Sequence, residues 1–225
     1  MTQELWTEVD RYIVDRLVPH DDALEATLQA SKVARLPSIN VAPNQGKLLN
    51  LLALATRARS VLEIGTLGGY STIWLARALG PGGRLITLEA DPRHAAVAEA
   101  NIAGAGLSDV VRIIVGPASE SLPRLAAENG PGFDFVFIDA DKANTTEYFA
   151  WSLRLSHIGT LIVVDNAVRG GKLVDPATDD PDVRGMQRFV DALASEPRVS
   201  ATVVQTVGSK GHDGFLLALV IAENQ

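Results

Sequence analysis

Cysteine is absent from this chain of 225 residues. Disulfide bonds, thiol nucleophiles, zinc–cysteine sites and iron–sulfur clusters are therefore excluded. No apolar stretch approaches the roughly 20 residues of a membrane-spanning helix. The N-terminal sequence is acidic and amphipathic, unlike a signal peptide. These features predict a cytoplasmic protein with no membrane partner.

Basic residues are fewer than acidic ones. The chain has 20 Lys and Arg against 27 Asp and Glu, which gives a formal net charge of -7. Because a binder of the phosphate backbone needs a basic face, we expect no nucleic-acid partner. The remaining composition, 47% hydrophobic and 21% charged, is typical of a globular protein. The length is ample for one well-buried core.

Strand and helix patterns alternate along the chain from residue 60 onwards. The five predicted strands are Ser60–Gly65, Arg84–Glu89, Val110–Gly116, Phe133–Asp139 and Gly159–Asp165. Their near-continuous apolar runs suit a parallel sheet covered on both faces, and the alternation predicts a doubly wound α/β sheet. Helical patterns within residues 1–42 predict an N-terminal helical cover on a core of residues 43–225. The whole chain, 1–225, is expected to be one domain.

The C-terminal part of the chain departs from this alternation. Two further strands are predicted at Ala201–Val207 and Gly214–Ile221, separated only by the turn Gly208–Asp213. Because this gap cannot hold a crossover helix, the two strands must be antiparallel. A mostly parallel, Rossmann-like sheet that ends in an antiparallel hairpin is the arrangement of class I S-adenosylmethionine-dependent methyltransferases, and we predict this fold class.

The glycine-rich segment VLEIGTLGGYS, residues 61–71, is the strongest local pattern. Its glycines let a ligand approach the backbone at the carboxyl edge of the sheet. The spacing G-x-x-G-G differs from the G-x-G-x-x-G of dinucleotide enzymes. Glu89, at the end of the second strand, could accept the hydroxyls of a ribose or could be a solvated acid. Glu63 stands inside an apolar strand and needs a donor, either loop amides or a cationic ligand.

Oxygen ligands cluster where the fourth and fifth predicted strands end, in IDADK (138–142) and VVDNA (163–167). Neighbouring parallel strands lie roughly 4.8 Å apart, so Asp139 and Asp165 would emerge together if these strands pair. With Asn166 they form an oxygen-only set that suits a hard cation such as Mg²⁺. Lys142 opens the next helix, where a cation opposes the helix dipole. It could act as a general base or form a salt bridge with Asp139 or Asp141.

Taken together, these motifs resemble the cation-dependent O-methyltransferases, which include catechol O-methyltransferase and plant caffeoyl-CoA O-methyltransferases. The resemblance extends from Pro43 to about Val220 and includes TLEAD, GPA and FDFVFIDADK. It implies that S-adenosylmethionine is bound by Val41, Glu63, Gly65, Thr66, Ser71, Glu89, Ala118 and Asp141. It further implies metal binding by Asp139, Asp165 and Asn166 and catalysis by Lys142. Because relatives are often homodimers, a homodimer is expected.

The implied reaction is methyl transfer to a hydroxyl of a catechol-like aromatic molecule, with two vicinal oxygens on the cation. Two positions depart from the family pattern where it borders the acceptor pocket. Thr145 replaces a common Tyr, and Arg169 replaces a common Trp. Arg169 could pair with an anionic acceptor or lie on the surface.

Three other functions compete with this interpretation. A nicotinamide oxidoreductase is disfavoured by the glycine spacing, the terminal hairpin and the lack of a Tyr-x-x-x-Lys pair. A non-catalytic cofactor-binding scaffold would be free to lose Lys142 or a metal ligand, yet all are present. A methyltransferase for nitrogen or for a non-catechol hydroxyl remains open, because the sequence does not separate acceptors.

Overall fold

The computed structural model describes residues 2–128 and 132–223. One seven-stranded sheet has the order β3-β2-β1-β4-β5-β7-β6. The strands are β1 Ser60–Ile64, β2 Arg84–Glu89, β3 Val111–Val115, β4 Phe133–Ile138, β5 Ser156–Val164, β6 Val199–Gly208 and β7 Gly211–Val220. The helices are α1 Gln3–Leu17, α2 Asp22–Val33, α3 Pro43–Ala55, α4 Tyr70–Ala76, α5 Pro92–Gly104, α6 Ala118–Ala127, α7 Thr145–Arg154 and α8 Pro181–Ala194.

The sheet confirms the predicted fold class. Strands β1 to β5 pair in parallel, whereas β7 runs antiparallel to both β5 and β6. The predicted turn at 208–213 was too long, since only Ser209 and Lys210 separate the two strands. His212 and Asp213 belong to β7, because their backbones pair with β6 despite their polar side chains.

Apolar side chains cover both faces of the central strands. In β4, Phe135 and Phe137 pack on one face, while Val136 and Ile138 pack on the other. This double burial explains why the parallel strands are apolar at nearly every position. Glu63 in β1 departs from this pattern, since its charged side chain is completely buried among Val61, Leu62 and Ile64.

The N-terminal helices cover part of the core, as expected, with α1 against β6 and α3, and α2 against α4 and α5. Asp21 caps α2 by accepting from the Leu24 amide, and Pro43 occupies the first turn of α3. Asp10 of α1 accepts from the Asn44 side chain at 2.9 Å and from the Ser209 amide at 2.6 Å. The first helix is thereby fixed to both α3 and the β6–β7 turn. Among the described residues, no helix combines the length and the apolar character needed to cross a membrane.

At the amino edge of the sheet, where the parallel strands begin, the carboxylate of Asp134 connects three neighbouring strands. Asp134 Oδ2 accepts from the backbone amides of Arg59 and Ser60, both at 2.8 Å. His157 Nε2 lies 3.0 Å from the other oxygen of Asp134. This network holds the start of β1 beside β4 and β5, at the edge opposite the predicted site.

Candidate active site

A cavity of about 730 Å³ opens at the carboxyl edge of the parallel strands. It gathers most of the residues that the sequence predicted for binding and catalysis. Those on its wall are Val41, Gly65, Thr66, Ser71, Glu89, Ala118, Asp139, Asp141, Lys142, Asn166 and Arg169. Side chains that are far apart in the sequence therefore meet at the ends of the parallel strands, as predicted from the strand geometry.

Gly65 occupies a position that only glycine fits. Its φ is +102°, and a Cβ built there would lie 2.1 Å from the Asp139 carbonyl oxygen. The glycine loop after β1 can therefore approach the end of β4 directly. This approach brings the loop and the Asp139 segment onto one cavity.

Glu63 lies beneath this loop and is completely buried. Its carboxylate accepts from the Ser71 and Thr87 hydroxyls at 2.7 Å each, and also from Thr72. The protein donors to Glu63 are therefore three hydroxyls rather than the loop amides considered from the sequence. Burial raises the pKa of Glu63 from its usual 4.5 to about 7, although these hydrogen bonds oppose the shift.

Thr87 links Glu63 to the glycine loop. Because the Thr87 hydroxyl donates to Glu63, it can accept from Thr66 Oγ1, which lies 2.6 Å away. Thr66 is on the cavity wall, whereas Thr87 is fully buried. A change at Glu63 would therefore be transmitted to a residue that faces the cavity.

Glu89 also holds the glycine loop. Its Oε2 accepts from the Leu67 amide at 2.7 Å and from the Thr66 amide at 3.2 Å, and Oε1 accepts from the Asp91 amide at 2.9 Å. Carboxylate oxygens have further lone pairs, so Glu89 can still accept from a ligand in the cavity. His94, which the sequence analysis did not select, lines the cavity with Nδ1 3.6 Å from Glu89 Oε1.

Asp139 and Asp165 emerge together, as predicted. β4 and β5 pair in parallel with Ile138 opposite Val164, the residues that precede the two aspartates. Asp165 is buried and lines a smaller cavity of about 230 Å³, which shares Asn166 with the larger one. Burial, and then the Asp139 charge, raise the pKa of Asp165 to about 7.

Lys142 forms one of the two salt bridges considered from the sequence. Its Nζ donates to Asp139 Oδ1 at 2.9 Å, and its side chain is buried. Lys142 begins a 3-10 turn, Lys142–Asn144, and α7 begins only at Thr145, so the prediction of a helix from residue 142 was early by one turn.

The oxygen-rich group at the ends of β4 and β5 fits a hard cation by its donor chemistry. Asp139, Asp165 and Asn166 offer carboxylate and amide oxygens, which suit Mg²⁺. Burial and, after it, the charge of Asp139 raise the pKa of Asp165, and a bound cation would favour the ionised carboxylate against both. In the described part of the chain, no three acidic or histidine side chains gather as a metal site. A cation here would therefore depend on the Asn166 amide and on ligands outside the protein.

Asp141 is held by a partner that sequence analysis missed. The Tyr148 hydroxyl donates to Asp141 Oδ1, and Asn144 Nδ2 donates to Oδ2, both at 2.6 Å. Tyr148 lines the cavity from the first turns of α7. The contact depends on how the 3-10 turn leads into α7, which residue spacing did not indicate.

Arg169 lies on the cavity wall but already has an acidic partner. Its guanidinium is 3.0 Å from Asp182 Oδ2, and Asp182 lines the cavity as well. Only Nη2 of the guanidinium makes this contact with Asp182, so Arg169 retains donors for another group. Thr145, the other departure from the family pattern, is fully buried.

Comparison with known proteins identifies the family of the chain. A profile of the O-methyltransferase family matches residues 18–221. The chain is 52% identical to a catechol O-methyltransferase of Niastella koreensis over 98% of this chain and all of that protein. It is 53% identical to a catechol O-methyltransferase of Mycobacterium tuberculosis over 95% of each chain.

A solved structure shows the same fold. The O-methyltransferase of Bacillus cereus in complex with SAH superposes with a TM-score of 0.96 at 53% identity, covering 97% of this chain and all of that one. The family resemblance drawn from the motifs is thereby confirmed, as is the prediction of an enzyme. The chain belongs to the O-methyltransferase family.

Proposed function

We propose that this protein is a divalent-metal-dependent O-methyltransferase that moves the methyl group of S-adenosylmethionine to a hydroxyl of a catechol-like molecule. One observation carries the proposal. Buried Lys142 pairs with half-buried Asp139 in the same cavity as the glycine loop and Glu89. A candidate proton acceptor, candidate oxygen ligands for a cation and the glycine loop therefore lie in one cavity. The chain would work as one domain, with residues 1–42 covering the 43–225 core.

S-adenosylmethionine would occupy the part of the cavity formed by the glycine loop, and it supplies the methyl group. Glu89 would accept from the ribose, and Asp141 would accept from the ammonium group. The other binding residues would be Val41, Gly65, Thr66, Ser71 and Ala118, with Glu63 holding the loop from below. The cavity volume of about 730 Å³ is within the usual range for small-molecule sites. The SAH complex of the Bacillus cereus relative supports this assignment.

Asp139, Asp165 and Asn166 would hold the divalent cation, with Mg²⁺ the best fit for their oxygen donors. Such a cation supplies Lewis acidity and a template for two vicinal oxygens. The acceptor would therefore be an aromatic molecule with adjacent hydroxyls. The catechol O-methyltransferase relatives support this acceptor class.

Lys142 would be the catalytic base. Its amine is buried beside Asp139, within the cavity that the acceptor would enter. In this role Lys142 Nζ would take the proton of the reacting hydroxyl. Holding the two reactants in line at short distance would provide much of the acceleration.

Arg169 would contact the acceptor from the wall of the cavity. Its remaining guanidinium donors suit a carboxylate substituent, which would compete with Asp182 for the same group. A catechol that carries a carboxylate is therefore the acceptor that Arg169 would bind best.

The test is methyl transfer from labelled S-adenosylmethionine to a panel of vicinal-diol aromatics, with Mg²⁺ and then with EDTA. We expect transfer that requires the metal and is lost in Lys142→Ala, while Lys32→Ala, an exposed lysine of α2, keeps it. Transfer that survives EDTA would overturn the metal requirement. Transfer only to amines or to isolated hydroxyls would refute the proposal that the acceptor is a catechol. Cofactor binding without any transfer would favour a scaffold.

A homodimer is part of the proposal because α1 presents an apolar surface. Leu5, Val9 and Tyr12 are 45%, 48% and 60% exposed and fall at helical spacing. Neighbouring β6 adds Val204 and Val207, which are also exposed. Sedimentation should give about twice the monomer mass of 23.9 kDa. A measured mass equal to that of the monomer would refute the proposed homodimer.

A further inference from the structure

The segment after β5 has an unfavourable backbone for several residues. Asn166 and Arg169 have φ values of +54° and +56°, and Gly170 and Gly171 follow at +67° and +85°. The left-handed region is disfavoured for residues that carry a Cβ, so such a conformation persists only when neighbouring groups hold it. Asn166 and Arg169 are also the two side chains that this segment contributes to the main cavity.

The group that holds the segment is the carboxylate of Asp213 in β7. Its Oδ1 accepts from the backbone amides of Arg169 and Gly214 at 2.9 Å and of Val168 at 3.0 Å. The Ala167 amide also donates to the Gly214 carbonyl at 2.9 Å. One charged oxygen therefore satisfies two consecutive amides of the segment, and hydrogen bonds to a charged acceptor are stronger than neutral ones.

Gly214 lets the segment and β7 come this close. A Cβ at Gly214 would lie 2.4 Å from the Val204 carbonyl oxygen and 2.7 Å from Val168 Cγ2. The hairpin therefore presents Asp213 directly beneath the amides that it binds. Within the described residues, Asp213 lines only the smaller cavity, beside Asp165 and Asn166.

We propose that Asp213 is a positioning residue that sets the placement of both Asn166 and Arg169 for the reaction. It acts through the backbone amides of residues 168 and 169 rather than by touching a substrate. The inference rests on the proposed function for the roles of Asn166 and Arg169, but the backbone clamp itself does not. Both side chains depend on the same carboxylate. Removing the Asp213 carboxylate would therefore displace Asn166 at the cation site and Arg169 at the acceptor site together.

Asp134 offers a matched control. Its carboxylate also accepts from two consecutive backbone amides, those of Arg59 and Ser60, but at the opposite edge of the sheet. Asp134→Ala removes the same kind of interaction without touching the cavity. Asp213→Asn keeps an acceptor oxygen and serves as the conservative variant.

The experiment compares the wild type with Asp213→Ala, Asp213→Asn and Asp134→Ala. Calorimetric titration measures Mn²⁺ affinity and SAH affinity, steady-state kinetics give the acceptor KM and kcat, and NMR measures hydrogen exchange of the Val168 and Arg169 amides. For Asp213→Ala we expect Mn²⁺ affinity to fall about 10- to 100-fold, as for other residues that orient metal ligands. SAH affinity should stay unchanged, the acceptor KM should rise, and both amides should exchange rapidly. Asp213→Asn should recover most of the loss.

Protected amides in Asp213→Ala would overturn the proposal, as would equal effects of Asp134→Ala on Mn²⁺ and acceptor binding. A wild type that binds no Mn²⁺ would instead refute the metal part of the proposed function. The amide exchange and the acceptor KM would then still decide the role of Asp213.

Discussion

Glu63→Gln tests how the carboxylate beneath the glycine loop acts. The substitution keeps the shape of the side chain but removes its titration. In the folded protein the pKa of Glu63 is raised from its usual 4.5 to about 7 by complete burial. At about 1.4 kcal/mol per pKa unit, the difference between folded and unfolded states amounts to ~3 kcal/mol.

The sign of the effect follows from the protonation of each state. Between pH 4.5 and 7 the folded protein keeps the Glu63 proton while the unfolded chain has lost it. The free energy of unfolding of the wild type should therefore fall, relative to Glu63→Gln, as the pH rises through this window. Above pH 7 both states are ionised, and the difference should be level.

Urea unfolding at pH values from 4.5 to 8, followed by tryptophan fluorescence and circular dichroism, measures this difference. Other groups that titrate in the same range cancel between the two proteins. Glu120→Gln on α6, whose carboxylate pairs with Arg124 at the surface, is the control for replacing an exposed glutamate. A wild-type minus Glu63→Gln difference that is flat within about 0.5 kcal/mol would refute the reasoning.

Four further predictions concern the cavity. Gly65→Ala should abolish SAH binding and destabilise the fold by about 1–3 kcal/mol, because the new Cβ would collide with the Asp139 carbonyl oxygen. Gly104→Ala, which adds a Cβ in open space, is the control, and calorimetry and thermal melting should show neither effect for it. Mn²⁺ affinity should rise about tenfold from pH 6 to 8, because binding requires Asp165, whose pKa is about 7, to lose its proton; equal affinities at both pH values would contradict this. Tyr148→Phe should weaken SAH binding about tenfold through Asp141 while leaving kcat unchanged, and wild-type affinity would show that the hydroxyl is dispensable. Arg169→Leu should raise the KM of a dihydroxybenzoate but not of unsubstituted catechol; the same change for both would place Arg169 outside substituent recognition.

The sequence was informative where strand geometry decides the outcome. Asp139 and Asp165 could be placed together because parallel strands deliver their last residues to one edge. Gly65 could be selected because its turn needs a backbone without a Cβ. Neither argument required knowledge of how the helices pack.

Contacts between separate elements could not be obtained this way. The donors to Glu63 come from both α4 and β2, and Asp213 contacts the segment after β5 from the neighbouring strand β7. Such pairings depend on tertiary approach, which leaves no periodic pattern in the sequence. The length of the β6–β7 turn was misjudged for a related reason, because backbone pairing extends through polar residues that resemble a loop.

The position of Asp134 at the amino edge of the sheet, opposite the cavity, has a practical consequence for protein engineering. Side chains that secure the start of the strands are separated from those that face the cavity. Libraries aimed at new acceptors can therefore be confined to exposed positions at the carboxyl edge, such as Ile39 and Lys210. Screening could then explore altered regioselectivity while the opposite edge preserves foldability across the library.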